Sequence, residues 1–376
     1  MRAVVFLLAA LAVVSCHGLQ KAPEWTLDLD LPANQRFTSA VQTVVAAHGW
    51  DHSFGAVLRH YKGLLEIAET LLAPTYDRVL RTQFPEHYAE LQSIAAGIAA
   101  VGHPEVNMTS LVVFPFFYES SHIDSLSVFG GYPRACTGIL SLPEDTSLPI
   151  IHGRNMDESP RAGRNMTLNI TVTRGGAPLY HIFDWTWITT GTYTASRKGG
   201  VTLEENWNND GSQSLEQILT RVQQPDFTPV AFLFRNVQES LMSFDAAATY
   251  LMNATLASPA YIIMSGPGRV GHVLTLMFNK SGNVKETIDD TSAVSYMVQT
   301  NYDRWKPDPP TDPRRTVAQD ALAMVGRHRS GTELGVWMAL GTYPVHNPHT
   351  MFSVLMSVDQ IPEGYVRRAM IPDPLP

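Results

Sequence analysis

Only two cysteines occur in the 376 residues, Cys16 and Cys136, and that scarcity constrains the chain more than any other feature. Met1-Arg2 precede an apolar run from Ala3 to Val14, which is followed by Ser15-Cys16-His17-Gly18. A charged start, an apolar core shorter than the ~20 residues a spanning helix needs, and small residues behind it predict a cleaved signal peptide over 1–18. The exported chain then keeps one thiol, so no internal disulfide can staple it and a hydrophobic core must hold the fold. Val13-Val14-Ser15-Cys16 also loosely resembles a bacterial lipoprotein box. Against that stand five Asn-X-Ser/Thr sequons, at Asn107, Asn165, Asn169, Asn253 and Asn279, which suit glycosylation along a eukaryotic secretory route.

The core such a chain needs is available, since 44% of residues are hydrophobic and 16% charged. A formal charge of −8 excludes the basic surface of a nucleic-acid binder. No low-complexity linker or internal repeat divides the chain, so one two-part domain is expected. Its first part reads as a strand over 25–33 and then as helices. Phe37, Val41, Val44, Val45 and His48 share a face, as do Val57, Leu58, Tyr61, Leu64, Leu65, Ala68, Leu71 and Leu72, and Pro85 with Glu86 opens a third segment. These stripes read as packing surfaces, and contact with a membrane surface is a second use open to amphipathic helices. Residues 112–118 read as an extended apolar segment. Strands dominate after 135, including a hairpin turned by Gly175-Gly176, with helical patterns at 214–222, 230–242 and 244–252. Strands grouped between helices predict an α+β sandwich of two sheets with helices on both outer faces.

Two decoys are set aside. Gly266-Pro267-Gly268-Arg269-Val270-Gly271 matches a dinucleotide fingerprint but is followed by a strand, so a hairpin turn is expected. His346 and His349 flank a proline and have no matching ligand pair, so no metal is assigned.

Cys136 carries the chemistry. A lone thiol can act as a nucleophile when a base and a nearby cation hold it as thiolate. Arg154 and Asp157 follow it by 154−136 = 18 and 157−136 = 21 residues, and the intervening prolines predict a hairpin that returns both to its level. The alternative at this point is a small buried cysteine beside a surface ion pair. An internal cysteine can also attack the carbonyl of the preceding residue, here Ala135. The resulting thioester opens to leave a chain starting at Cys136, whose α-amine is then a base within the nucleophilic residue itself.

The strings Ala135-Cys136-Thr137, His152-Gly153-Arg154-Asn155-Met156-Asp157, Asn301-Tyr302-Asp303-Arg304-Trp305-Lys306-Pro307 and Arg314-Arg315-Thr316 resemble the acid ceramidase and N-acylethanolamine-hydrolysing acid amidase family of N-terminal-nucleophile hydrolases. The resemblance runs from about Trp25 to about Met356. It implies an αββα sandwich behind an N-terminal helical segment, with residues 19–135 forming one subunit and 136–376 the catalytic one after cleavage between Ala135 and Cys136. It further implies a lysosomal or extracellular amidase that takes a fatty-acid amide lipid and needs no cofactor. Its two subunits would not be disulfide-linked. The implied site is Cys136, with Arg154 and Asp157 tuning the thiolate and orienting the α-amine, Asn301 donating to the oxyanion, Arg314 and Glu205. Asn301 read alone is equally a turn residue, and Arg314 equally a surface cation in a proline-rich loop. Three departures from the family pattern are Asn206 where an arginine is usual, a longer hairpin after Cys136, and Pro313 before the arginine pair. The absence of the family's ceramidase disulfides, with Lys306-Pro307-Asp308-Pro309, favours N-acylethanolamines as substrate, whereas Asn155-Met156-Asp157 and Asp303-Arg304-Trp305 look more like ceramidase, so an acid ceramidase releasing fatty acid and sphingosine is the alternative the resemblance leaves open. A catalytically inactive lipid-binding or interaction protein on the same scaffold is the reading from another class.

Overall fold

The structure, a computed structural model, describes residues 19–123, 135–209, 211–360 and 362–367. The predicted signal peptide with Cys16, and Arg134 on the far side of the predicted cleavage site, lie outside the described residues. Within them are strands β1 (Leu19–Gln20), β2 (Glu24–Asp28), β3 (Ala135–Ser141), β4 (Ile151–Asp157), β5 (Leu168–Arg174), β6 (Ala177–Asp184) and β7 (Thr194–Ser196). Later in the chain come β8 (Thr202–Trp207), β9 (Ala260–Gly266), β10 (Val270–Leu276), β11 (Val284–Ile288), β12 (Tyr296–Gln299), β13 (Thr350–Met356) and β14 (Glu363–Arg367). They form a six-stranded sheet, β1-β14-β13-β4-β3-β12, and an eight-stranded sheet, β11-β10-β9-β8-β7-β6-β5-β2.

The two-residue period of a strand decides what each face of β3 meets. Leu140 points between the sheets, clustering with Tyr261, Ile263 and Val273. Ile139 points outward to Ala318, Leu322, Val336 and Leu340, which belong to the helices Arg314–Ser330 and Glu333–Gly341. By the same alternation Cys136 and Gly138 face the second sheet. The far face of that sheet is covered by helices that include Val230–Glu239 and Pro85–Ala100, where Phe232 stacks on His87 at 3.6 Å and Arg235 pairs with the buried Glu90. This is the expected αββα arrangement with its N-terminal helices. The segment before Cys136 also enters both sheets. Its β1 pairs with β14, and its β2 lies parallel to β5, with Trp25 opposite Ile170.

Two sequence expectations need correction. Residues 112–118 are helical turns, Met108–Leu111, Phe114–Phe116 and Phe117–Ser120. Val112, Val113, Phe114, Phe116 and Tyr118 are all buried, so the run is apolar on every side and has no period to read. The stripe from Val57 to Leu72 is broken, with separate helices Phe54–His60 and Lys62–Leu71.

The glycine-rich decoy is the β9–β10 hairpin turn, with Gly268 at φ 82° and Arg269 at φ 60°. Its arginine does structural work on the hairpin that carries Cys136. Buried Arg269 donates to the carbonyls of Pro143 (2.8 Å), Asp145 (3.0 Å) and Leu148 (2.5 Å) and to Asp290, and so pins the long connection between β3 and β4. Arg269→Ala leaves those three carbonyls without their donor and is expected to cost about 2–4 kcal/mol in urea unfolding. Asp290→Asn, at a half-exposed partner, should cost under about 1 kcal/mol by the same measurement.

Candidate active site

Adjacent strands bring the predicted residues together. In the β3–β4 register Cys136 lies opposite Met156, Gly138 opposite Arg154 and Ala135 opposite Asp157. Arg154 therefore shares the inner face with Cys136, and its Nη2 lies 3.7 Å from Sγ. Its Nη1 is held from the second sheet by the Tyr193 carbonyl and by Thr194 Oγ1 at 2.9 Å. Asp157 points to the outer face, where Arg314 Nη1 comes within 3.8 Å of its carboxylate. The same guanidinium donates to the Cys136 carbonyl (2.6 Å), to Thr137 Oγ1 (3.2 Å) and to Asn301 Oδ1 (2.7 Å), and is itself held by Asp312. Asn301 Oδ1 also accepts the Cys136 backbone N–H at 2.8 Å, and its Nδ2 donates to the Trp207 carbonyl at 2.8 Å. The nitrogen that cleavage would turn into an α-amine is thus already gripped.

Cys136, Arg154, Asp157, Glu205, Asn301 and Arg314 are all 5% exposed or less, which disposes of a surface ion pair and of a surface role for Arg314. Arg314 instead opens a helix, because Pro313 ends the proline-rich loop at its N-cap. In the uncut chain Asn301 Oδ1 accepts from Cys136, and one of its two amide hydrogens goes to the Trp207 carbonyl. Asp157 has partners the sequence did not reveal. Thr350 donates to it at 2.5 Å and Asn347 at 2.8 Å, both 190 residues or more along the chain. They lie beside His346 and His349, the rejected metal candidates, and only the closeness of β4 to β13 could have pointed to them. Of the sequon asparagines, Asn107, Asn253 and Asn279 are exposed, whereas Asn165 and Asn169 are half-buried and Asn165 Nδ2 donates to the His52 carbonyl.

A small cleft opens beside the thiol, lined by Phe117, Tyr118, Trp185, Tyr193, Glu205 and Trp207 among others. Five of the eleven residues that line it are aromatic and its exposed wall is mostly apolar, as an apolar ligand requires, with the carboxyls of Asp157, Glu158 and Glu205 among them. Burial pushes the Cys136 thiol up to about 12 against the pull of Arg154, so the uncut chain holds a neutral thiol rather than the expected thiolate. Burial likewise raises Asp157 to about 6, opposed by Arg314, and Glu205 to about 8, opposed by Arg154. Tyr118 Oη, beside Glu205, donates to the Pro259 carbonyl at 3.0 Å.

No family model matches the chain. An N-acylethanolamine-hydrolyzing acid amidase from Caenorhabditis elegans is 27% identical over 363 residues, covering 93% of each chain. Human acid ceramidase is 28% identical over 421 residues, covering 99% of this chain and 98% of its own. A solved structure described as the Caenorhabditis elegans ortholog of the amidase superposes with a TM-score of 0.52 at 28% identity, covering 60% of this chain and 94% of that one. This chain is a homologue of both. It shares the α+β fold of the solved amidase ortholog, and the residues predicted from the resemblance converge on one thiol.

The Glu205 carboxyl gives a signed test of this electrostatic picture. Its folded value lies above its unfolded one, so the stability it contributes is complete below about pH 4.5 and is lost as pH rises through about 8. Wild type is therefore expected to lose stability relative to Glu205→Gln by about 1.4 kcal/mol per pH unit across that window. Urea melts of both proteins at pH 5, 6.5 and 8 measure it, and parallel curves would mean that Glu205 is ionised in the fold throughout.

Proposed function

We propose that this protein is a cysteine amidase that matures by cutting its own chain before Cys136 and then hydrolyses the amide bond of N-acylethanolamines to fatty acid and ethanolamine. The observation that carries the reading is the grip on the Cys136 peptide unit, where Asn301 Oδ1 takes the N–H, Arg314 takes the carbonyl and Arg154 faces the sulfur. In maturation Sγ attacks the Ala135 carbonyl carbon, the carbon–nitrogen bond breaks, and the nitrogen keeps its hydrogen and gains the thiol proton. Water then opens the thioester to the Ala135 carboxylate and restores the thiol. The α-amine, held by Asn301, becomes the base for later turnovers. In turnover the thiolate attacks the substrate amide, ethanolamine leaves with a proton, and water releases the fatty acid. Arg154 stabilises the thiolate, while Arg314 holds Asp157 and Asn301 in place around the amine.

The length of the solved relative supports the cleavage. That chain is about 0.60/0.94 = 0.64 of this one's length, and residues 136–376, 241 of 376, are the same fraction. A second substrate, ceramide, is favoured by the match to human acid ceramidase along nearly the whole chain. Among the described residues no helix is long and apolar enough to cross a membrane. A lysosomal or extracellular location, glycans on the exposed Asn107, Asn253 and Asn279, and contact of the N-terminal helices with a lipid surface complete the proposal.

Purified wild type at acidic pH is expected to run as two chains on a denaturing gel, the larger beginning at Cys136. Cys136→Ala should stay whole and lose activity on N-palmitoylethanolamine by roughly a thousandfold or more. Ceramide assayed in parallel ranks the two substrates, and a cut wild type that hydrolyses neither would leave the inactive lipid-binding reading standing.

A further inference from the structure

Beneath the nucleophile runs a buried polar chain that takes no part in the mechanism above. Glu204 of β8 crosses to the first sheet, where its Oε2 lies 2.9 Å from His152 Nε2. His152 Nδ1 is 2.8 Å from Thr202 Oγ1, which is 2.6 Å from Ser265 Oγ. Glu204 and His152 are both fully buried. A Cβ on Gly138 would come within 2.8 and 2.9 Å of the two Glu204 carboxylate oxygens, so this carboxylate is lodged against β3 two residues past Cys136. Gly138 is the register partner of Arg154, and the Arg154 guanidinium feels the charge of Glu204. Within this group Glu204 Oε1 and Arg154 Nε have no hydrogen-bond partner among the described residues.

We propose that Glu204 is a positioning residue that acts on Cys136 through Arg154, as the standing counter-charge of that guanidinium, and that His152 sets how much of the counter-charge remains. The inference rests on reading Cys136 as the nucleophile. The hydroxyls of Thr202 and Ser265 rotate, so the chain accepts His152 with or without a second proton and no heavy atom need move. With a neutral imidazole, Glu204 presents a full negative charge to Arg154 and weakens its pull on Sγ. With an imidazolium the pair is neutral and Arg154 acts on the thiol undiminished. The groups that face Arg154 are Cys136 from β3, Asp184 from β6, the Thr194 hydroxyl from β7 and Glu204 and Glu205 from β8, and the Ser265 hydroxyl from β9 ends the chain at Thr202.

The rate at which iodoacetamide alkylates Cys136, followed by mass spectrometry of its peptide in the full-length protein, reads the thiolate without any amide substrate. It therefore fails or succeeds independently of hydrolysis. At pH 5.5, Glu204→Gln, which keeps the shape and removes the charge, is expected to react about tenfold faster than wild type. Thr202→Val, which takes away the partner of His152 Nδ1 and disfavours the imidazolium, should react about threefold slower. A purely structural role would move both variants in the same direction. Rates within twofold of wild type, or shifts of the same sign, overturn the proposal. If circular dichroism shows Glu204→Gln unfolded, the Thr202→Val rate decides alone, and an unchanged or faster rate counts against it.

Discussion

Two buried guanidinium groups hold Cys136 from opposite sides, and the arrangement of everything near it follows from them. Arg154 reaches the sulfur from between the sheets, and Arg314 reaches the carbonyl of the same residue from under the covering helices. Neither charge is tolerable without partners, because an ion removed from water costs several kcal/mol unless it is paired and hydrogen-bonded. The partners come from far along the chain. Tyr193, Thr194 and Glu204 serve Arg154, and Asp312, Asn301 and Asp157 serve Arg314. Satisfying two cations at one strand end thus draws both sheets and the last helices to a single place.

The same burial makes the site quiet before maturation. Thiol, Asp157 and Glu205 are all pushed towards their neutral forms by burial. Breaking the bond before Cys136 would place a titrating amine among these groups, and the balance would change without any movement of the strands.

Much of this was legible in the sequence where a period or a turn residue carried it. The Gly175-Gly176 turn is read directly, and Cys136, Arg154 and Asp157 share one hairpin, so their meeting needed only its closure. What was not legible depended on contacts between distant segments. Nothing local marks Asn347 and Thr350 as holders of Asp157, because that pairing exists only once β13 lies beside β4. Arg314 reads as a loop cation until the helix behind Pro313 docks it. Residues 112–118 misled for the opposite reason, since burial on all sides erases the pattern that separates helix from strand.

The entry of the N-terminal segment into both sheets has a consequence for the life of the molecule. With β1 on one sheet edge and β2 on the other, a cut before Cys136 would part the chain but not the architecture, leaving two polypeptides interleaved through a shared interior and joined by no covalent link. Such pieces are not docked partners able to separate and meet again. Their mutual arrangement would be an inheritance from the single precursor, and once unfolded they would have lost the connection that first brought them together.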